Sequence, residues 1–145
     1  MLDGLRPKGA LAIPALPLAA ESDTMSAAAR ATATDGHGAA VLLRLEDLMA
    51  GNPPKAGMNF AASLGIGLDG LDVIVDLRAR NFEPYNVFAT ALTAALRRLG
   101  NLQEIRNFVL LGTAIPDSFA LLAKGSDEIP RHDWLFFKTL IITMP

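Results

Sequence analysis

Short apolar runs recur along this chain, and a helix-like or polar stretch separates each run from the next. The runs occupy residues 11–18, 39–45, 71–77 and 107–111, and their centres lie about 30 residues apart, the length of one strand–helix unit. Strands that alternate with helices form βαβ units, whose strands are parallel and whose crossovers are right-handed. The sequence therefore predicts an α/β fold of repeated βα units with a parallel sheet.

The four runs differ in how strongly they indicate a strand. Residues 71–77 (LDVIVDL) are rich in β-branched side chains and give the clearest prediction. Residues 39–45 (AAVLLRL) are almost continuously apolar, as expected for a strand buried on both faces. The first run contains Pro14 and Pro17, which weaken the prediction because proline donates no ladder hydrogen bond.

Helical segments are predicted between these runs. The longer ones cover residues 24–34, 85–99 and 131–142, and shorter ones cover 47–50, 58–64 and 117–123. In the segment 85–99, apolar residues at helical spacing form one stripe that should pack on the sheet: Val87, Phe88, Ala91, Leu92, Ala95, Leu96 and Leu99.

Four βα units fit two architectures. One is a complete small doubly wound domain, and the other is about half of a (β/α)8 TIM-type barrel, which typically needs about 250 residues. The chain stops at Pro145, directly after an apolar helix with no polar cap, which favours the second. We therefore expect residues 1–145 to form a single α/β domain that is a fragment of a longer barrel. The edges of such an unclosed sheet should promote self-association.

Composition excludes several classes of protein. The chain is 51% hydrophobic with a net charge of −2, which argues against disorder and gives no indication of nucleic-acid binding. It has no cysteine, and hence no disulfide or thiolate metal site. No stretch reaches the roughly 18 apolar residues of a membrane span. Prolines interrupt the signal-like residues 9–20, so we expect a cytoplasmic protein.

The sequence predicts no cofactor and no metal site. Residues 65–70 match the G-x-G-x-x-G pattern, but they follow a predicted helix and precede a strand, the reverse of the dinucleotide-binding order. We interpret them as the loop into the third strand. His37 and His132 have no third ligand nearby in the sequence, and both are interpreted as surface residues. No nucleophile motif is present, so whether the protein is an enzyme stays open.

Charged residues within the strand-like runs are the candidate ligand-binding residues. Arg44 interrupts the second run, Asp76 interrupts the third, and Arg78 follows two residues later. Charges in a buried parallel strand are costly unless they are paired or solvated at a site, and these lie near the carboxyl ends of the strands, where α/β proteins usually bind ligands. The alternative is that they mark where the strands leave the core. If the runs are adjacent, Arg44 and Asp76 should form an ion pair within about 4 Å.

Several segments together resemble the phage-type Beta protein family, whose members are found in phages and bacteria. The resemblance covers roughly residues 10–142 and rests on residues 71–78, the dipeptide at 115–116 and, above all, residues 128–135 (EIPRHDWL). It aligns Pro14, Asp76, Arg131 and Trp134 with the family's pattern. The resemblance implies a (β/α)8-type barrel and a phage context, and implies that this chain lacks the family's opening strand and the part after the Trp134 helix. It implies no catalytic residue.

Two functional hypotheses follow. In the first, Arg44 and Arg78, with Arg131 as a further candidate, hold an anion such as a phosphate or carboxylate, and Asp76 orients them or acts as a general base. In the second, the protein is a non-enzymatic interaction module whose apolar helix around Trp134 contacts a protein partner.

Overall fold

The computed structural model describes residues 12–50, 52–79, 81–99, 102–115, 128 and 130–144. Within these residues, nine helices and strands form the fold: β1 (Ala15–Pro17), α1 (Ser22–Asp35), β2 (Ala39–Arg44), α2 (Leu45–Met49), α3 (Pro53–Ser63), β3 (Leu71–Ala79), α4 (Tyr85–Arg97), β4 (Asn107–Thr113) and α5 (His132–Thr143). Single 3-10 turns, Leu68–Gly70 and Leu102–Glu104, precede β3 and β4. The helix predicted over 117–123 lies outside the described residues.

The four strands form one parallel sheet, in the order β1-β2-β3-β4. The predicted α/β class and parallel sheet are therefore confirmed. Strand order equals chain order, and right-handed crossovers in such a sheet put the connecting helices on the same face. Pro17 lies at the end of β1, an edge strand among those described, where a missing N–H is tolerated.

The two faces of the sheet differ in burial. On the helix-covered face, alternate residues of the strands join one core cluster with residues from α1, α3, α4 and α5: Leu16, Val41, Leu43, Leu71, Val73, Val75 and Leu77. The other face, which we call the open face, is covered less: Ala40 is buried, but the remaining side chains are half-buried or exposed. They comprise apolar and polar residues: Pro17, Leu42, Ile74, Val109, Leu111, Arg44, Asp72, Asp76 and Asn107. The sequence predicted β2 to be buried on both faces, but Leu42 is only half-buried, since the described helices cover one face.

The stripe predicted on α4 is correct at its carboxyl-terminal half and wrong at two positions. Leu92, Ala95 and Leu96 are buried, as is Leu99 just after the helix, whereas Val87 and Ala91 are exposed. The buried side is completed instead by Ala89 and Thr93. An α-helix has 3.6 residues per turn, so one side of it is followed more closely by positions 85, 88, 89, 92, 93 and 96. A stripe through 87 and 91 is spaced by four residues and drifts away from that side.

Aromatic rings join α5 to the rest of the core. Phe136 is buried, stacks on Phe82 at a centroid distance of 4.9 Å, and meets Phe88 of α4 at 5.0 Å. Leu140, one turn further along α5, is also buried. This packing fixes the first turn of α5 beside the first turn of α4.

A polar clamp closes the amino-terminal edge of the sheet. The Arg106 guanidinium donates to both carboxylate oxygens of Asp72 at 2.7 Å, and a third bond reaches the His37 carbonyl at 2.6 Å. Asn107 adds a bond to Asp72 at 2.8 Å. These contacts lower the pKa of Asp72 and raise that of Arg106, because the hydrogen bonds between the two groups favour both charged forms.

Among the described residues, none of the helices combines the length and apolar character needed to cross a bilayer. The glycine-rich segment 65–70 leads from α3 into β3, as the sequence predicted.

Candidate functional site at the carboxyl edge of the sheet

Arg44 and Asp76 occupy matched positions on neighbouring strands. Arg44 ends β2, Asp76 lies near the end of β3, and their Cα atoms are register partners. Because register partners in a parallel pair point to the same face, both side chains lie on the open face at the carboxyl edge. The shared face follows the sequence prediction.

The expected ion pair between them is absent from the described structure, which is a correction to the sequence analysis. Asp76 accepts a hydrogen bond from the backbone N–H of Arg78 at 2.8 Å. Asp47, in the first turn of α2, accepts one from the backbone N–H of Arg44 at 2.7 Å. Amide groups at the strand end and helix start compete for the carboxylates, so the register alone does not produce the ion pair.

Arg78 lies in a local irregularity of the sheet. The pairing of β3 with β4 shifts between Asp76 and Ala79, and Arg78 has a φ of 59°. A left-handed conformation costs a non-glycine residue roughly 1–2 kcal/mol. A bulge also turns a side chain away from the regular alternation of the strand. The Arg78 side chain is exposed beside Asp76.

The side-chain contacts of Arg131 in the described part of the chain are with Asp133 and not with these residues. It precedes α5 and forms a two-point ion pair with Asp133, with distances of 2.9 Å and 3.0 Å. The hydrogen bonds from Arg131 hold the pKa of Asp133 below its usual value, and the same pair raises the pKa of Arg131. The structure therefore places Arg44, Asp76 and Arg78 together at the ends of β2 and β3, whereas Arg131 lies at the start of α5 and is paired with Asp133.

A second polar group lies where α4 and α5 begin. The Tyr85 hydroxyl is 2.7 Å from His132 Nδ1, a hydrogen-bonding distance, and Glu83 Oε1 is 4.0 Å from the same nitrogen. Desolvation raises the pKa of Tyr85 above its usual 10.0, and the nearby Glu83 carboxylate raises it further. His132 is half-buried here, so its interpretation as a surface residue was incomplete.

The sequence analysis missed this tyrosine–histidine contact because 47 residues separate its members. One signal was available in the chain. Tyr85 follows Pro84 directly, His132 follows Pro130 by two residues, and each is the first residue of its helix. First turns of helices in successive βα units lie at the same edge of the sheet, so the repeat itself pointed to this contact.

A shallow cavity of about 210 Å³ separates α5 from the ends of β3 and β4. Its lining is mainly apolar and includes Leu77, Gly112 and Phe137, with Asp133 at the polar side. Gly112 packs closely against Phe82, since a Cβ there would lie 3.3 Å from the Phe82 ring. In the part of the chain that the structure describes, no group of three acidic or histidine side chains is arranged to hold a metal ion.

These features define an all-parallel α/β protein with a polar cluster at the carboxyl edge of its sheet. Comparison with known protein families assigns the chain more specifically. The chain belongs to the Beta protein family, whose model matches residues 1–143. Neither the curated proteins nor the solved structures gave a match.

Proposed function

We propose that this Beta family protein binds an anionic small molecule, carrying a phosphate or carboxylate group, at the carboxyl edge of its sheet. The observation that carries the proposal is the grouping of Arg44, Asp76 and Arg78 at the ends of two adjacent parallel strands. Parallel α/β proteins bind ligands outside the carboxyl ends of their strands. A guanidinium group suits such a ligand because its planar fork donates two hydrogen bonds to one oxyanion.

The two guanidinium groups are available for a ligand. Both arginine side chains are exposed, and neither forms an ion pair with an acidic side chain of the described residues. The nearby carboxylates of Asp47 and Asp76 accept hydrogen bonds from backbone amides instead. Arg44 and Arg78 therefore supply positive charge that is not already neutralised by a paired carboxylate.

Asp76 has a positioning role in this proposal. Its hydrogen bond to the Arg78 amide supports the left-handed backbone at that residue. Backbone strain of this kind persists where the surroundings over-determine it, and such positions cluster at ligand sites. Asp76 thus orients Arg78, which is one of the two roles the sequence analysis considered for it.

The test is a thermal-unfolding titration with inorganic phosphate, and with citrate as the carboxylate probe, at constant ionic strength. A ligand that binds only the folded chain raises its stability by about 2.7 kcal/mol at 100 times Kd. For a chain of this size that corresponds to a rise in Tm of roughly 5–15 °C. We expect the rise in the wild type and its loss when both Arg44→Gln and Arg78→Gln are present.

The matched control is Arg30→Gln, which removes an exposed arginine from α1. This variant should keep the full phosphate-dependent rise in Tm. An equal rise in all three proteins would show a general effect of the salt on stability and would contradict the proposal.

A second candidate function is a protein-interaction module, and the surface of α5 favours it. Trp134 is 52% exposed and Ile142 is 86% exposed, with Phe137 and Ile141 also exposed on the same helix. Contiguous apolar surface of this kind marks interaction sites. The dye ANS should bind the chain at low concentration, and Ile142→Lys should reduce the fluorescence. Equal fluorescence from both proteins would contradict this role.

A further inference from the structure

We infer that the cavity beside α5 binds a small organic cation, a molecule that carries a quaternary ammonium group. The cavity concerned is the space of about 210 Å³ between α5 and the ends of β3 and β4, and we call it the α5 cavity. The inference goes beyond the anion site proposed above, because the residues are different and the ligand has the opposite charge.

The walls of the α5 cavity supply the first argument. Four of the side chains that line it are aromatic: Phe82, Trp134, Phe136 and Phe137. They form two stacked pairs, since Phe82 lies 4.9 Å from Phe136 and Trp134 lies 5.9 Å from Phe137, measured between ring centroids. The face of an aromatic ring is negative and attracts a cation that lies within about 6 Å of the ring centroid. A quaternary ammonium group suits such walls, because methyl groups surround its charge and pack against apolar surfaces.

The polar side of the α5 cavity supplies the second argument. Asp133 lines the cavity, and only 23% of its side chain is exposed. Hydrogen bonds from Arg131 lower the pKa of Asp133, so its carboxylate is charged at neutral pH. The cavity therefore combines aromatic faces with one carboxylate, and both attract a cation rather than an anion.

Two basic side chains lie close to the α5 cavity without lining it. Arg131 pairs with Asp133, but its side chain is 70% exposed, so solvent screens its charge. Lys138 is also exposed, and its Nζ lies 6.0 Å from the Trp134 ring centroid, at the outer limit of a cation–π contact. The Trp134 ring thus already lies near one ammonium group of the chain itself, and the cavity is left for a second cation.

The size and opening of the α5 cavity supply the third argument. An apolar cavity of about 150 Å³ is large enough to bind benzene, and a trimethylammonium group is similar to benzene in size. Trp134 is 52% exposed and Phe137 is also exposed, so the cavity opens to solvent beside these two rings. A ligand can therefore place its ammonium group inside while the rest of the molecule lies outside.

The experiment is a fluorescence titration of the full chain at constant ionic strength. Trp134 is the only tryptophan of the chain and lines the cavity, so its emission reports binding there. The probes are choline and dimethylbutanol, the neutral analogue that has a carbon atom in place of the charged nitrogen. We expect choline to change the emission with saturation and to bind about tenfold more tightly than the neutral analogue.

Two substitutions test the two parts of the site. Asp133→Asn removes the charge and Phe137→Leu removes one aromatic face, and each should weaken choline binding about fivefold or more. The control for the charge is Asp23→Asn, because Asp23 is an exposed carboxylate in the first turn of α1, as Asp133 is in the first turn of α5. The control for the ring is Leu135→Ala, at an exposed position of α5 that does not line the cavity. Both controls should bind choline as the wild type does.

Several results would overturn the inference. Equal binding of choline and dimethylbutanol would show an apolar cavity with no preference for a cation, and an emission change without saturation would show no site. Controls that weaken binding as much as the test variants would show an unspecific effect. A response to phosphatidylcholine vesicles but not to free choline would indicate a lipid-headgroup site instead of a small-molecule site. Circular dichroism checks the fold of each variant, and if Asp133→Asn does not fold, Phe137→Leu against Leu135→Ala decides. None of these results bears on phosphate binding at Arg44 and Arg78.

Discussion

Arg44 and Asp76 are register partners at the carboxyl edge of the sheet, yet their side chains form no ion pair in the described structure. Asp76 instead accepts a hydrogen bond from the Arg78 amide. An exposed ion pair is worth only about 0–1 kcal/mol, and a local bond to a backbone amide competes with it easily. The proposed anion site depends on this arrangement, because neither guanidinium group is ion-paired with a carboxylate of the described residues.

The clamp at the opposite edge predicts how stability depends on pH. Because the pKa of Asp72 is lowered in the folded chain, its contribution is fully present above its unfolded value near 3.8. The contribution is lost as pH falls through the lowered folded pKa. Asp72→Asn should cost about 1–3 kcal/mol at pH 7. Urea unfolding at pH 7 and below pH 3 should show the difference between wild type and variant shrinking with acid.

The control for the clamp is Asp69→Asn, which removes an exposed carboxylate from the turn just before β3. It should change the free energy of unfolding at pH 7 by less than about 0.5 kcal/mol. A gap between wild type and Asp72→Asn that stays constant from pH 7 to acid would contradict the account of the clamp.

Two glycines have almost the same backbone conformation but different surroundings. Substituting each of them therefore separates the cost of a steric clash from the cost of a positive φ. Gly36 and Gly38 have φ values of 68° and 70°. A Cβ on Gly36 meets nothing, whereas one on Gly38 would collide with the backbone carbonyl of Gly70. Gly36→Ala should cost about 1–2 kcal/mol, the left-handed penalty alone. Gly38→Ala should lower the free energy of unfolding, measured by chemical denaturation, by clearly more. Equal losses in the two variants would show that Gly38 and Gly70 are not this close.

The buried side of α4 predicts a strong contrast between adjacent residues. Leu92 is 1% exposed in the core, while Ala91 beside it is exposed. Leu92→Asp would bury an unpaired charge and should cost several kcal/mol, whereas Ala91→Asp should change stability by about 0.5 kcal/mol or less. Thermal unfolding of both variants measures the contrast. Similar melting temperatures would mean that α4 presents a different side to the sheet.

Features of the fold that depend on residues close together in the chain can be predicted from the sequence. Contacts between residues far apart in the chain cannot. The strand at residues 71–79 follows from its run of β-branched residues, and parallel order follows from the βα repeat. Arg106 was missed because it lies in a turn with no periodic pattern, and its partner Asp72 is 34 residues away. Contacts between residues so far apart in the chain depend on strand register and on which amides compete for a carboxylate. Neither can be inferred from residue spacing or composition.

Tyr85, the only tyrosine of the chain, allows its surroundings to be measured by ultraviolet titration. Because desolvation and the Glu83 carboxylate both raise its pKa, the absorbance change should be centred above pH 10.0. Glu83→Gln removes the charge and should move the midpoint down, though not fully, since the desolvation remains. Glu46→Gln, an exposed residue of α2, is the control and should leave the midpoint unchanged. A wild-type midpoint at the ordinary value would contradict this arrangement.

The central claim is that Arg44 and Arg78 form one anion site, and the Nε–Hε signals of arginine in ¹H–¹⁵N spectra test it most directly. The signals are assigned with the Arg44→Gln and Arg78→Gln variants and followed while inorganic phosphate is added at constant ionic strength. We predict that both signals shift together, saturate and give one Kd, while the signal of exposed Arg30 does not move. If the Arg44 and Arg78 signals stay in place, or drift without saturation as Arg30 does, the proposed site is wrong.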